Sequence, residues 1–342
     1  MVSERSACDH GPWVDIHSHP GCGFLGELPK DQAWVRSMGG DRSVEQVGSA
    51  AAGEVSVVNA STVADLAVIG PNATGGLGAF RDFEPGEALA DHRRQVRATS
   101  AVQRRDDVTA VLHSSDIAAT HAQGKPGVFL SCEGGDFLDG SADGLDEAYR
   151  DGVRAITLVH YRINELGDIQ TEDSVHDGLT PFGCEIVREM NRLGMIIDLA
   201  HATFNATVDA LNESISPIMV SHSHLASPGA EHARLLTEEH ALVVAEAGGI
   251  IGAWPSGMAL SSLSEYADEI CRLIDVVGVD HVAIGTDLDA NYRPVLTSYS
   301  QFPEVAELLH YRGLDDHEVD KVLGGNFVRL FENVESASRP DR

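Results

Sequence analysis

A series of His, Glu and Asp residues stands at the ends of short apolar runs along the chain. In order, they are His17 and His19 in VDIHSH, Glu133 in GVFLSCE, His160 after AITLV, His201 after MIIDLA, His222 after IMVS and Asp287 after HVAIGT. An α/β barrel places its catalytic groups at the carboxyl ends of its strands. Imidazole nitrogens and carboxylate oxygens are also common zinc ligands. The series therefore predicts a metallohydrolase site assembled from segments that are remote in sequence.

The His-x-His pair is the strongest single element of this series. Alternate residues of a strand project to the same face, so His17 and His19 can bind one ion. Residues 14–16 lead into the pair as a buried strand would, and Pro20 ends the run. A lone histidine at a strand end is more often a hydrogen-bonded core residue than a ligand. The prediction of a metal site therefore depends on the pair together with the later strand ends.

Short apolar runs alternate with amphipathic segments along most of the chain. The pattern predicts strands near residues 13–18, 53–61, 108–114, 127–133, 153–160, 195–201, 217–222, 249–254 and 281–287. It predicts helices near residues 87–105, 143–151, 181–193, 203–212, 237–247, 261–277, 301–312, 316–323 and 325–336. Such alternation is typical of parallel βαβ units and favours a closed (β/α)8 TIM-type barrel over an open sheet. We predict an irregular connection over 20–50 and a flexible glycine-rich loop over 70–80.

The composition limits the class of protein. The chain has 342 residues, 24 Lys+Arg and 53 Asp+Glu, which gives a formal net charge of −29. We expect it to bind neither nucleic acid nor an anionic membrane, because phosphates would be repelled. The N-terminus lacks the basic start and apolar core of a signal peptide, and five scattered cysteines form no disulfide pattern. We therefore expect a cytoplasmic protein with a single domain over residues 1–342 and a barrel core over about 13–336.

Longer stretches of the sequence carry a family resemblance. They are GLTPFGCEIVREMNRLGMIIDLAHAT (178–203), CEGGDFLDG (132–140), GVRAITLVH (152–160), HVAIGTDLDA (281–290) and GGNFVRLFENVE (324–335). In these stretches the chain resembles the membrane (renal) dipeptidases, peptidase family M19, which belong to the amidohydrolase-like metal-dependent barrels. The resemblance runs from about Val14 to Glu335. It implies the same barrel and a metal-dependent hydrolase acting on a small-molecule or dipeptide substrate.

The resemblance also implies two zinc ions per chain and their ligands. By position, the ligands are His17 and His19 for the first ion, His201 and His222 for the second, and Glu133 as the bridge between them. The dipeptidases usually have His-x-Asp where this chain has His17-Ser18-His19. Imidazole in place of carboxylate keeps a ligand but makes the site one charge more positive. We expect this difference to change the metal preference or the pKa of the bound water.

The roles in catalysis and substrate binding follow from the same resemblance. His160 matches the histidine that contacts the substrate carbonyl, and Arg234 matches the arginine near the substrate carboxylate. Asp287 matches the acidic residue beside the bridging water, and the bridging Glu133 is counted as catalytic with it. Asp287 would transfer the proton of the nucleophile to the leaving amine, and His160 would stabilise the oxyanion. The planar fork of Arg234 suits a terminal carboxylate.

Three functions remain open at this point. The first is a zinc-dependent dipeptidase that cleaves small dipeptides with a metal-activated water. The second is an amidohydrolase-type enzyme acting on another amide, a lactone or an ester, because YRINELGD (161–168) differs from the corresponding loop of the animal dipeptidases. The third is a non-catalytic, metal-binding homologue, which the joint presence of His160, Asp287 and the ligands argues against. A homodimer is a further expectation.

Overall fold

The computed structural model describes residues 10–30, 33–72, 76–227 and 232–338. The strands are β1 (Trp13–Asp15), β2 (Val55–Val63), β3 (Ile69–Pro71), β4 (Leu77–Ala79), β5 (Thr109–Val111), β6 (Gly127–Glu133), β7 (Val153–Thr157), β8 (Ile196–Asp198), β9 (Met219–Ser223), β10 (Ile250–Ala253) and β11 (Val282–Ile284). The α-helices are α1 (Ala33–Met38), α2 (Ser43–Ser49), α3 (Glu87–Gln103), α4 (Ser114–Gln123), α5 (Asp143–Arg150), α6 (Pro181–Leu193), α7 (Phe204–Glu213), α8 (Glu238–Glu246), α9 (Leu263–Val277), α10 (Phe302–Tyr311), α11 (Asp316–Asp320) and α12 (Asn326–Ala337).

Eight of the strands form a parallel barrel. Their order is β1-β2-β6-β7-β8-β9-β10-β11, and each neighbouring pair in this order is parallel. Ile16 N donates to Ile284 O at 2.9 Å, and Asp287 N donates to His17 O at 2.8 Å. These backbone hydrogen bonds join the segment after β1 to β11 and the segment after it. The predicted (β/α)8 TIM-type barrel is confirmed.

The barrel interior is filled at its amino-terminal end by apolar side chains. Each of the eight barrel strands contributes one of them: Val14, Val57, Phe129, Ala155, Ile196, Met219, Ile250 and Ala283. They pack with four buried residues of α12, which are Phe327, Leu330, Phe331 and Val334. We call these twelve side chains the basal cluster. Because side chains alternate along a strand, the neighbours Val58, Leu130 and Ile156 belong to a separate cluster. The last helix thus closes one end of the barrel.

The prediction of an irregular connection over residues 20–50 is wrong. A 3₁₀ helix runs from Pro20 to Leu25 and is followed by α1 and α2. Each of these helices has six or seven residues. A helix of two turns or fewer cannot repeat an apolar face often enough to give a periodic signal.

Two further segments differ from their predictions. The segment predicted as a flexible loop over 70–80 contains the antiparallel hairpin of β3 and β4, within which residues 73–75 lie outside the described residues. Asn72 N donates to Gly76 O at 2.8 Å, and Gly76 N donates to Asn72 Oδ1 at 2.9 Å, so two hydrogen bonds join the ends of the two strands. The strand predicted over 108–114 is reduced to β5, which pairs with β6 outside the circuit of eight strands.

Within the described ranges, no helix is long and apolar enough to cross a membrane. The cysteines in the same ranges, Cys22, Cys132, Cys184 and Cys271, are all free thiols. The absence of a disulfide pattern in the sequence thus agrees with the unpaired state of these four residues.

Candidate metal centre

The predicted site residues meet at the carboxyl end of the barrel. Glu133 is the last residue of β6 and His222 lies within β9. His160, His201 and Asp287 each lie three residues beyond the end of a barrel strand, β7, β8 and β11 respectively. Together with His17 and His19 these residues form what we call the candidate metal centre, and none of the seven is more than 8% exposed. Such positions are those at which α/β barrels carry their active sites.

Glu133 stands in the middle of five imidazole rings. The distances from its Oε1 are 3.1 Å to His201 Nε2, 3.5 Å to His17 Nε2 and 3.6 Å to His222 Nε2. The distances from its Oε2 are 3.2 Å to His19 Nε2 and 3.4 Å to His160 Nε2. Phe129 of the basal cluster lies four positions earlier in β6, so alternation of side chains along the strand directs Glu133 to the same interior.

The two histidines of the first segment reach the centre in an unexpected way. The predicted strand over 13–18 contains His17 and ends one residue before His19, but β1 ends at Asp15 and both rings follow it in irregular backbone. The alternation argument therefore does not apply to them. His19 is oriented by its Nδ1–H, which donates to Ser61 O at 3.1 Å. This hydrogen bond leaves Nε2 of His19 facing the carboxylate of Glu133, the position from which it could bind a metal ion shared with that residue.

The donor set fits bound cations. His17 Nε2 and His19 Nε2 are buried and make no hydrogen bond. Ligand atoms lie within 4.8 Å of one another in three groups, which are His17 with Glu133 and His222, His17 with His19 and Asp287, and Glu133 with His160 and His201. Buried polar atoms rarely lack partners, and a divalent ion would satisfy these nitrogens.

These three groups agree only in part with the predicted division between two ions, because His17 shares one group with His19 and another with His222. The predicted first ion takes His17 and His19, and the predicted second takes His201 and His222. In the structure the rings of His17 and His222 stack with centroids 4.3 Å apart, and His201 Nε2 lies 3.2 Å from His222 Nε2. The ligands form one continuous shell around Glu133, and the assignment of ligands to individual ions stays a prediction.

Burial and charge set the protonation of this shell. Burial raises the pKa of Glu133, but the charges of His160 and His17 outweigh it and hold that pKa well below its usual value. Burial lowers the pKa of His201 and of His222 well below the ordinary value. Burial also lowers the pKa of His19, yet Asp287 and Glu133 reverse the effect and raise it to about 10. The carboxylates of Asp287 and Glu133 thus attract positive charge to the position of His19 Nε2.

Backbone strain accompanies the site. His201 has φ 67° and Asp287 has φ 52°, so both lie in the left-handed region. Residues other than glycine, asparagine and aspartate seldom adopt this region, so His201 is the strained one of the two, at a cost on the order of 1 kcal/mol. The left-handed backbone occurs three residues beyond the ends of β8 and β11, where it turns the two side chains towards the centre.

Arg234 lies beside the centre, as predicted, and is only 2% exposed. Its Nη1 donates to Gln170 Oε1 at 2.7 Å, and its Nη2 donates to His201 Nε2 at 3.3 Å. Its guanidinium carbon lies 5.4 Å from the centre of the Trp254 ring. Its Nε makes no hydrogen bond, and no carboxylate in the described ranges forms an ion pair with it. A buried cation without a counter-ion is costly, which makes this position suitable for an anionic group of a ligand.

Trp254 and Asp65 touch the site but were not predicted. Trp254 Nε1 donates to Asp287 Oδ2 at 3.2 Å, which leaves Oδ1 of Asp287 at 3.4 Å from His19 Nε2. Asp65 Oδ1 accepts from His160 Nδ1 at 2.7 Å. A signal for Asp65 existed, because this acidic residue follows Val63 and Ala64 at the carboxyl end of β2, much as Glu133 ends β6. The predicted strand stopped at residue 61, whereas β2 runs to Val63.

Comparison with known proteins gives a consistent family. The family model described as membrane dipeptidase (peptidase family M19) matches residues 71–342. The dipeptidase tcpJ of Claviceps purpurea is 31% identical over 234 residues, which cover 66% of this chain and 55% of that protein. Two other fungal dipeptidases match over 60% and 54% of their own lengths, so the matching part spans little more than half of these relatives.

Solved structures agree on the fold. Dipeptidase AC, a metallopeptidase of family M19, has a TM-score of 0.80 at 18% identity, covering 95% of this chain and 99% of that chain. A metallopeptidase from Rhodobacter sphaeroides, liganded with a phosphinate mimic of the dipeptide L-Ala-D-Ala, has a TM-score of 0.78 at 18% identity, covering 95% and 100%. The family model includes all predicted site residues except His17 and His19, which precede residue 71. The chain therefore belongs to the membrane dipeptidase family, peptidase family M19.

Proposed function

We propose that this chain is a metal-dependent hydrolase that cleaves small dipeptides with a free C-terminal carboxylate. Membership of family M19 supports the reaction class. The substrate class is supported by Arg234, a buried cation beside the candidate metal centre that has no carboxylate partner among the described residues. A planar guanidinium can bond both oxygens of a carboxylate, and such charge-assisted pairs are strong.

Two zinc ions are the proposed cofactor. The residues that would hold them are His17, His19, Glu133, His201 and His222. When bound, zinc would supply Lewis acidity and lower the pKa of water to near neutrality. His19 in place of the usual aspartate removes one negative charge from this shell, so a preference among divalent metals different from that of the His-x-Asp enzymes is part of the proposal.

The surrounding residues would position the substrate and move the proton. Burial lowers the pKa of His160, but the charges of Asp65 and Glu133 outweigh it and raise that pKa above the ordinary value. The ring that donates from Nδ1 to Asp65 would therefore also carry a proton on Nε2, which faces Glu133 and would donate it in a hydrogen bond to the substrate carbonyl oxygen as negative charge develops there. Asp287 would accept the proton of the attacking water on Oδ1 and deliver it to the leaving amine. Its other oxygen is engaged by Trp254, which favours a fixed carboxylate orientation. Arg234 would hold the carboxylate of the leaving residue.

A substrate comparison tests the carboxylate. Amidating the C-terminus of a good dipeptide substrate should lower kcat/KM by about 10- to 150-fold, because a charge-assisted hydrogen bond is worth roughly 1.5–3 kcal/mol. Arg234→Met should cause a similar loss on the free dipeptide and little further loss on the amidated one, because both changes remove the same interaction.

The control for this experiment is Arg154→Met. Arg154 is also buried, but it donates to backbone carbonyls of Leu112, Tyr149 and Val153 near the start of β7. We expect this variant to lose stability while keeping the discrimination between free and amidated substrates. Equal activity of the wild-type enzyme on both substrates would favour the alternative function, a broader hydrolase of amides, lactones or esters.

Metal analysis tests the cofactor. We expect close to two divalent ions per purified chain, with Glu133→Gln weakening both sites and His222→Ala mainly emptying one. Absence of bound metal after zinc addition and dialysis would contradict the two-ion proposal. The homodimer, the cytoplasmic location and the single domain over 1–342 stay predictions; size-exclusion chromatography with light scattering checks the first.

A further inference from the structure

Asp65 is a buried carboxylate with two separate partners. It lies two residues beyond the end of β2 and has no exposed surface. Its Oδ1 accepts from His160 Nδ1 at 2.7 Å, and its Oδ2 accepts from the backbone N–H of Tyr161 at 3.0 Å. It precedes residues 71–342, so the family model does not include it.

The first contact fixes the orientation of an imidazole ring. A carboxylate can only accept hydrogen bonds, so the proton shared with Asp65 belongs to Nδ1 of His160. This leaves Nε2 as the atom that faces the candidate metal centre, 3.4 Å from Glu133 Oε2. Without Asp65 the ring would lose its hydrogen bond at Nδ1 and keep its packing against Tyr161 and His201, whose ring centroids lie 4.5 Å and 4.6 Å from its own.

The second contact fixes the backbone at the start of the segment 161–168. Tyr161 is the first residue of that segment, and its ring packs edge-on against both His160 and His201. Asp65 therefore connects the end of β2 with the imidazole of His160 and with the backbone N–H of Tyr161.

Folding alone gives little reason for a carboxylate here. Within the described ranges His160 is the one ion-pair partner of Asp65. A buried ion pair is often neutral or unfavourable for stability compared with apolar residues of similar size. The buried Asp136 adds a further carboxylate nearby; burial raises its pKa, and the charge of Asp65 raises it further. The position therefore carries an electrostatic cost that an apolar side chain would avoid.

We propose that Asp65 is a positioning residue that holds Nε2 of His160 towards the substrate carbonyl and fixes Tyr161 beside it. The proposal rests on the proposed function for the role of His160. Asp65 acts through His160 and touches neither the proposed ligands nor Arg234. Its removal should therefore affect turnover without emptying the metal sites.

A double-mutant cycle tests the proposal. Asp65→Ala should lower kcat about 10- to 100-fold on the best substrate of a panel of dipeptides, acylamino acids, lactones and esters, with metal content unchanged. In a His160→Ala background the same substitution should cost no more than about 3-fold, because the group through which it acts is already gone. Independent, multiplicative losses would overturn the proposal, and so would loss of metal in Asp65→Ala alone.

Two further variants distinguish a positioning role of Asp65 from a general loss of folding. Asp65→Asn keeps the shape but cannot accept from both donors, so it should give a smaller loss than Asp65→Ala. Glu269→Ala removes another buried carboxylate that accepts a backbone N–H, that of Leu225, and pairs with Arg272. It should lower stability while leaving kcat nearly unchanged. A fall in kcat in Glu269→Ala equal to that in Asp65→Ala would reduce Asp65 to a structural role.

Proton NMR separates this proposal from the proposed function. The Nδ1 proton of His160 should give a downfield resonance in the wild type that disappears in both Asp65→Ala and His160→Ala, because charge-assisted hydrogen bonds deshield the proton. Absence of this resonance in the folded wild type would overturn the positioning role. A wild type that shows the resonance but hydrolyses no substrate of the panel would overturn the proposed function and leave the contact with Asp65 established.

Discussion

The two ends of the barrel are built from the same eight strands but differ in almost every physical respect. At the amino-terminal end, the basal cluster is entirely apolar and is covered by α12. At the carboxyl end, the candidate metal centre buries five imidazoles and two carboxylates and includes backbone in the left-handed region. Burial of apolar surface stabilises the fold, whereas burial of charge opposes it. The apolar packing of the basal cluster therefore offsets the unfavourable burial of charge in the candidate metal centre.

This contrast predicts that stability and turnover respond to different ends. The largest expected effect is that of Phe331→Ala in the basal cluster, where the ring packs edge-on against Phe129 at 5.5 Å. It should lower the free energy of unfolding by about 3–5 kcal/mol, because it removes a buried aromatic ring and leaves a cavity. Denaturant titration measures this loss, and kcat per folded molecule should stay close to the wild type.

Phe80→Ala is the matched control for that variant. Phe80 is 66% exposed, so its loss should change stability by less than about 0.5 kcal/mol. A large fall in kcat of the folded Phe331→Ala protein would mean that the two ends are not separable.

The second largest effect is a loss of turnover, expected at the carboxyl end of the barrel. Asp287→Asn should lower kcat by about 10²-fold, as for loss of a proton-transfer group, while metal content and the unfolding free energy change little. Steady-state kinetics and elemental analysis on the same preparation check this. Unchanged turnover would make Asp287 a structural residue and would weaken the contrast between the ends.

The smallest expected effect is a difference in kcat between variants of two tryptophans, one at each end of the barrel. Trp254→Phe keeps an aromatic ring but removes the donor to Asp287, and should lower kcat by about 2- to 13-fold, the equivalent of one hydrogen bond. Trp13→Phe is its control, because Trp13 Nε1 is buried near the start of β1 without a hydrogen-bond partner. That variant should keep full turnover; equal losses in both would exclude a specific role for the Trp254 hydrogen bond.

The sequence predicted the barrel and the residues of the centre because both depend on strand ends. Apolar runs locate the strands, and a charged residue directly after such a run is locally visible, as for Glu133 and His160. Asp65 has the same signature, but the polar residues of NAST inside β2 obscured where the strand ends. Trp254 was not recognised because its type and position fit a core residue as well as a hydrogen-bond donor.

Other features depend on closure of the barrel, which no local pattern contains. His17 follows β1 and His222 lies in β9, which are not neighbouring strands, so their rings stack only because both project into the interior of the closed ring of strands. Gln170 reaches Arg234 from an irregular segment between β7 and α6. The helix α12 was predicted near its observed bounds, but its position beneath the strands follows only from the assembled interior.

The seam between β1 and β11 has a consequence for biosynthesis. Asp287 N donates to His17 O, and His19 N donates to Leu288 O at 2.9 Å, so the two histidines are anchored by residues from near the other end of the chain. Domains emerge from the ribosome N-terminal part first. A nascent polypeptide that has not yet released β11 exposes His17 and His19 without the backbone that orients them. Metal binding at these two histidines would therefore await the synthesis of β11, when this strand docks beside β1 and the ring of strands closes.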